Sequence, residues 1–402
     1  MITVAEAERL INSHTLELES EEVPITHAGG RVLKETICAD RDFPPFDRVS
    51  MDGIAINFDH WKQGGADFLI QGTQAAGSPP LQIKSPNCAI EVMTGAVLPK
   101  GADTIIPYEV IKINGESERT ATLQVTPKKG QNVHKQGSDR LKGAALVNSG
   151  SILGAPEIGV AATVGKSTLK VIKPPKVAII STGDELVSID ETPLPHQIRS
   201  SNAVTLSNAL DQWKIQPDLY HIVDDLEGTT NQLQGLLENY QILILSGGVS
   251  MGKFDFVPQA LDKLQVNKQF YKIRQRPGKP FWFGSHGSGT LVFAFPGNPV
   301  SSFMCFNRYL KPWMNKLFEL HEPPLMAQLT ENIKFERDLT YFAQVKVKLD
   351  QGKILACPVE GHGSGDLANL VDADGFLELP REKILFSKGE MFPLYAYRNL
   401  RS

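Results

Sequence analysis

The chain has 402 residues, with 41 lysines and arginines against 45 aspartates and glutamates and a formal net charge of −4 at pH 7. That length holds roughly two to four domains. A mildly acidic chain with interspersed signs gives no electrostatic case for nucleic acid or an anionic membrane surface.

The N-terminus, from Thr3 to Leu10, reads as an amphipathic helix in which Thr3 and Glu6 have capping-box spacing. It is too charged for a signal peptide, and no later apolar run is long enough to span a bilayer. Extended stretches are expected around Val23-Pro24-Ile25 and Arg31-Val32-Leu33, and Asp42-Phe43-Pro44-Pro45-Phe46 marks a boundary. From Ser50 to Leu146 short β-like runs alternate with turns, among them Gly53–Ile56, Asp67–Ile70, Ala89–Val92, Thr104–Ile106 and Ala121–Val125. Ala155 to Val164 returns to a helical pattern. Gly159 with Gly165-Lys166-Ser167 imitates a phosphate loop, but five residues separate the glycines where four are required, and the order is helix then strand.

After Pro174-Pro175 strands and helices alternate. Strands are expected at Val177–Ile180, Leu219–Val223, Ile242–Leu245 and Leu291–Phe295. Helices fall between them at Asn202–Trp213, Thr229–Glu238 and Pro258–Leu264, and a last one spans Val300–Phe318. This order predicts a doubly wound parallel sheet with ligands at the carboxyl ends of its strands. Past His321-Glu322-Pro323-Pro324, Gln344–Leu349 alternates cleanly, turns near Gly352 and returns as Ile354–Ala356. The chain therefore reads as multi-domain, α/β plus β. The expected parts are a discontinuous helical and extended N-terminal domain (1–41 and 143–173), a β-rich insert (42–142), the α/β domain (174–320) and a small C-terminal β domain (321–402).

The polar residues gather after the strands. Ser181-Thr182-Gly183-Asp184-Glu185-Leu186 follows the first, Asp224-Asp225 the second, and Ser246-Gly247-Gly248-Val249-Ser250 with Asp255 the third. A strand, a glycine loop and a helix in that order present backbone N–H groups to an anion, although the same loop also reads as a plain βα turn. Lys272, Arg274, Arg276 and Lys279 surround Arg276-Pro277-Gly278-Lys279-Pro280. Carboxylates on such a rim suit Mg²⁺, which takes hard oxygen ligands and keeps waters. The cations suit an oxyanion. Taken singly, Asp184 and Asp255 also read as helix caps and Asp224-Asp225 as a solvated turn. Cys38, Cys88, Cys305 and Cys357 form no C-x-x-C pair, and the nine histidines show no metal-ligand spacing. The thiols are expected to be reduced, in a cytoplasmic protein.

Six motifs in one order resemble the molybdopterin molybdenumtransferases, the molybdenum insertases related to the gephyrin E domain. They are Ser50-Met51-Asp52-Gly53, Met93-Thr94-Gly95-Ala96 with Gly101-Ala102-Asp103, the Ser181–Leu186 run, the Ser246–Ser250 loop, Pro277-Gly278-Lys279-Pro280 and Pro296-Gly297-Asn298-Pro299-Val300-Ser301. The resemblance implies an enzyme of molybdenum cofactor biosynthesis. Such an enzyme inserts molybdate into adenylylated molybdopterin and releases AMP with Mg²⁺ present. It implies a homodimer, with other molybdenum-cofactor biosynthesis proteins as further partners, and makes the α/β domain the molybdopterin-binding one. By motif, Asp255, Asp184, Glu185, Asp224 and Asp52 become the acidic catalytic residues, with Asp184, Glu185 and Asp255 toward the metal. Ser246, Gly247, Gly248 and Ser250 hold the pterin-phosphate end, and Thr94, Asp139, Lys272 and Pro280 complete the substrate contacts. Arg276, Lys279, Ser301 and Ser364 lie toward molybdate. His134 stands where an arginine is usual, Ser138-Asp139 replaces a Glu-Asp pair, and an arginine expected near Gln344 is absent. Two other readings are a molybdopterin adenylyltransferase, which shares the Ser181–Leu186 and Ser246-Gly247-Gly248 elements, and a non-catalytic dimeric scaffold.

Overall fold

A computed structural model of the chain describes residues 1–223, 225–249, 256–320, 322–361 and 363–400. It contains two compact units, Met1–Lys34 with Leu169–Ser402, and Glu35–Thr168. Among the described residues no helix is long and apolar enough to cross a membrane.

The Glu35–Thr168 unit is built on a six-stranded sheet in the order Thr104–Pro107, Gly53–Ile56, Cys88–Val92, Asp67–Gln74, Thr120–Leu123 and Ile111–Asn114. All neighbours run antiparallel except Asp67–Gln74 beside Cys88–Val92. Side chains alternate between the faces of a strand, and here both faces are covered. Ile54, Ile56 and Ile106 pack on one side with Phe68, while Ala55, Ile90, Val92 and Ile105 pack on the other with Val49. This is why the central strands carry almost no polar positions.

In the other unit the N-terminal helix Val4–Asn12 starts with the expected capping box. The Thr3 backbone N–H donates to Glu6 Oε2 at 2.7 Å, and the Glu6 N–H returns to Thr3 Oγ1 at 3.2 Å. The α/β sheet runs Asp218–Ile222, Val177–Thr182, Ile242–Ser246, Leu291–Phe295, Trp282–Ser285, Asn267–Tyr271. Its first four strands are parallel, as the alternating pattern predicts, and an antiparallel pair extends it on one side. Ile179, Ile244, Phe293 and Phe295 face one layer, which holds helices Val4–Asn12, Ser201–Leu210 and Pro299–Cys305. Ala178, Ile180, Leu243, Leu245 and Val292 face helices Leu226–Asn239 and Val257–Lys263. Helices on both faces of a mostly parallel sheet are the doubly wound arrangement.

The helix expected over Val300–Phe318 is continuous but not uniform. It is α over Pro299–Cys305, π over Phe306–Leu310 and α again over Lys311–Leu317. Pro312 has no N–H to give the carbonyl four residues back, and its ring crowds that carbonyl. A wider turn accommodates both.

The C-terminal strands close on themselves. Thr340–Asp350 pairs with Lys353–Pro358, then Leu325–Leu329, Met391–Ala396 and Gly375–Leu379 follow, and the last returns to Thr340–Asp350. Ala327, Leu329, Val345, Ala356, Leu377 and Leu379 fill the small barrel. Its edge takes one guest: Gln275–Arg276 of the α/β region adds in parallel, with Arg276 opposite Tyr341.

Candidate active site

Two neighbouring cavities lie where the strands of the α/β sheet end. The first, of about 590 Å³, is lined by the Ser181–Gly183 segment, the Ser246–Val249 loop and the Pro296–Pro299 turn. The loop can pass this close only because its second and third residues lack side chains. Gly247 has φ +102° and Gly248 φ +65°. A Cβ on Gly247 would stand 2.8 Å from the Thr182 carbonyl oxygen, and one on Gly248 2.7 Å from Thr182 Oγ1. The Asn202 side-chain N–H group ties the loops together, donating to Ser246 Oγ at 2.8 Å and the Gly297 carbonyl at 2.7 Å. Thr182 Oγ1 is buried and has no hydrogen-bond partner among the described residues. A backbone-lined pocket with an uncommitted hydroxyl is suited to phosphate oxygens.

The second cavity, of about 670 Å³, shares Pro280, Pro296 and Asn298 with the first. Its walls carry Arg276, Lys279 and Arg337 together with Ser301, Gln344 and Ser364. The Pro277-Gly278 turn is fixed from below, where Gln275 Nε2 donates to the Gly278 carbonyl at 2.8 Å and the Gln275 carboxamide oxygen accepts from the Tyr309 hydroxyl. Asn298 Nδ2 donates to Ser364 Oγ at 2.8 Å, and the Val300 N–H donates to the Ser364 carbonyl at 3.2 Å. These bonds hold the barrel loop against the Pro296–Pro299 turn. Burial pushes the Tyr341 hydroxyl above its ordinary pKa, while the Arg276 charge acts in the opposite direction. Burial also pushes the Cys305 thiol well up, against a contact with Gln275, so it stays a neutral filler behind Gly278.

The sequence-predicted residues divide as follows. Glu185, Ser246, Gly247, Gly248 and Pro280 line the first cavity, and Arg276, Lys279, Pro280, Ser301 and Ser364 the second. Asp184 is exposed beside Glu185, and Lys272 is outside both linings, with its ammonium 4.9 Å from the Tyr271 ring centre. Asp224, Ser250 and Asp255 lie outside the described residues. Asp225 caps helix Leu226–Asn239 by accepting from the Gly228 N–H at 2.6 Å.

Asp52, Thr94 and Asp139 belong to the Glu35–Thr168 unit. Asp52 Oδ1 accepts from the Thr94 N–H at 2.6 Å and its hydroxyl at 2.7 Å, which lowers the Asp52 pKa below the ordinary carboxylate value. His134 stands between Arg48 Nη2 at 3.0 Å and Asp139 Oδ1 at 2.7 Å. Among the described residues no three His, Cys, Asp or Glu side chains come together as a metal cluster. Three residues escaped sequence reasoning: Asn202, Arg337 and Asn369. The Asn202 contacts are made across 44 and 95 residues of chain, beyond the reach of any local pattern.

Family models match nearly the whole chain: the MoeA N-terminal region (domain I and II) at residues 2–165, the probable molybdopterin binding domain at 178–316, and the MoeA C-terminal region (domain IV) at 326–397. The molybdopterin molybdenumtransferase of Synechocystis sp. is 39% identical, over 99% of this chain and 100% of its own. That of Bacillus subtilis is 30% identical, over 94% and 90%. Two crystal structures of the molybdopterin biosynthesis MoeA protein of Pyrococcus horikoshii superpose with TM-scores of 0.86 and 0.80. Both are 27% identical and cover 99% of this chain and 100% of theirs.

Proposed function

The chain belongs to the molybdopterin molybdenumtransferase family, and from that premise we propose that it inserts molybdate into adenylylated molybdopterin and releases AMP. It is a transferase of molybdenum cofactor biosynthesis. The observation that carries the finer reading is the pair of adjoining cavities, one lined by glycine backbone and the other by cations, with Pro280, Pro296 and Asn298 common to both. A pterin phosphate in the first would lie beside an oxyanion in the second. Reaction between two held partners gains mainly from position and from fixed charge.

In this reading the Ser246–Val249 loop binds the phosphate end through backbone N–H groups, and Asn202 keeps the loop in register with the Pro296–Pro299 turn. Arg276 and Lys279 hold the molybdate dianion, with Ser301 and Ser364 supplying hydroxyls. Glu185 on the first cavity and exposed Asp184 next to it are oxygen donors of the kind Mg²⁺ takes. They would hold the ion with Asp255, which lies outside the described residues. When bound, Mg²⁺ supplies positive charge against the phosphoanhydride. Asp52, Thr94 and Asp139 are assigned to the substrate by the motif resemblance. We also infer a cytoplasmic protein from its unpaired cysteines, and a homodimer working beside other molybdenum-cofactor biosynthesis proteins, as that resemblance implies. Light scattering that found only monomer at micromolar concentration would end the dimer proposal.

Product analysis separates the readings. Purified protein given adenylylated molybdopterin and molybdate is expected to release AMP, whereas protein given molybdopterin and ATP is expected to release no pyrophosphate. The reverse result would make it an adenylyltransferase, and neither product would favour the scaffold.

A further inference from the structure

Resting on the reading of the second cavity as the oxyanion site, we propose that Arg337 is a third cation for molybdate, in a lining that is otherwise neutral apart from Arg276 and Lys279. Arg337 lines the same cavity as Arg276 and Lys279. The acids beside it in the chain are engaged elsewhere. Glu336 pairs with Lys334 at 2.6 Å, and Asp338 stands between Arg274 at 3.6 Å and Arg381 at 3.8 Å. Arg337 itself is exposed and has no ion pair among the described residues. Its carbonyl accepts from the Leu339 N–H at 2.8 Å, which turns the chain into the Thr340–Asp350 strand.

Apart from Arg276, Lys279 and Arg337, the residues that line the cavity carry no charge. Gln344 lines the cavity, and Asn369 lies behind Gly361, which also lines it. A Cβ on Gly361 would come within 2.5 Å of Asn369 Nδ2 and 3.3 Å of Gln344 Nε2. Gln344 Oε1 and Asn369 Nδ2 are buried without partners among the described residues. A carboxamide neither neutralises nor replaces a cation, so the dianion depends on the guanidinium groups and Lys279. A guanidinium fork matches two oxygens of a tetrahedral oxyanion.

The test measures cofactor formation by the purified full chain while molybdate and adenylylated molybdopterin are titrated separately, and tungstate binding by calorimetry. Arg337→Ala is expected to raise the half-saturating molybdate concentration about twofold to fivefold, the range of a solvent-exposed charged contact, and to weaken tungstate by a similar factor. The half-saturating pterin concentration should not move. Gln344→Arg in the Arg337→Ala background should restore the molybdate response, because it returns a cation to the same cavity. Arg276→Ala is the reference. If it raises the molybdate requirement and Arg337→Ala leaves both anion responses unchanged, the role of Arg337 is overturned while the cavity reading stands. If neither variant changes them, the cavity reading falls and Arg337 falls with it.

Discussion

Alanine at Gly247 should damage pterin-phosphate binding more than it damages the fold. The residue sits at φ +102°, and the added Cβ would stand 2.8 Å from both the carbonyl oxygen and Oγ1 of Thr182. The hydroxyl can rotate aside, but the carbonyl belongs to the central strand Val177–Thr182 and cannot. The loop must therefore retreat toward the cavity. A non-glycine residue held at such a φ costs about 1–3 kcal/mol, which corresponds to roughly 5- to 150-fold if it appears in binding. Gly235→Ala provides the contrast. That glycine is inside helix Leu226–Asn239 with nothing within 4 Å of the new methyl group, so the change should stabilise the protein by about 0.5–1 kcal/mol. The assay is the half-saturating concentration of adenylylated molybdopterin, with thermal unfolding measured on the same samples. A Gly247→Ala protein with the wild-type pterin response would refute the assignment of the loop to the phosphate end.

Three further outcomes follow from other parts of the structure. Arg308 is almost fully buried; burial opposes its charge, but Glu378 at 2.6 Å and Glu8 at 2.8 Å more than offset this, so Arg308→Ala should cost about 3–5 kcal/mol in chemical denaturation, and an unchanged midpoint would contradict the pairing. Exposed Cys38 should react with a thiol reagent under native conditions while buried Cys305, its pKa raised by burial, should not; labelling at Cys305 by mass spectrometry would disprove the packing behind Gly278. The Asp52 carboxyl should titrate below 3.8 by NMR, and Thr94→Val should move it up part of the way. Because the folded pKa is depressed, the stabilising contact is present above the ordinary value and is lost as pH falls through the folded one; a midpoint at or above 3.8 would contradict it.

Much of this was legible in the sequence because the central strands are apolar on both faces. Val177–Thr182, Ile242–Ser246 and Leu291–Phe295 are buried throughout, so each stands out as a short apolar run between helices. The antiparallel strand Asn267–Tyr271 gave no such signal, since only Phe270 in it is buried and its first two residues are exposed. The pairing of Gln275–Arg276 with Thr340–Tyr341 spans 65 residues, and no local periodicity encodes it. That pairing brings the barrel's Arg337, Tyr341 and Gln344 to the Pro277-Gly278 turn. The glycine loop and the Arg276–Pro280 motif were therefore visible as chemistry, while the third cation of the cavity was not.

The most direct test of the account is the count of AMP released per cofactor formed. Purified protein, adenylylated molybdopterin and Mg²⁺ are mixed with or without molybdate, AMP is measured by chromatography, and cofactor by reconstitution of a molybdenum-free apoenzyme. Two adjoining cavities acting on two held substrates predict about one AMP per cofactor, with release falling sharply when molybdate is omitted. AMP release at the same rate without molybdate, or cofactor formation without AMP, would contradict the coupling.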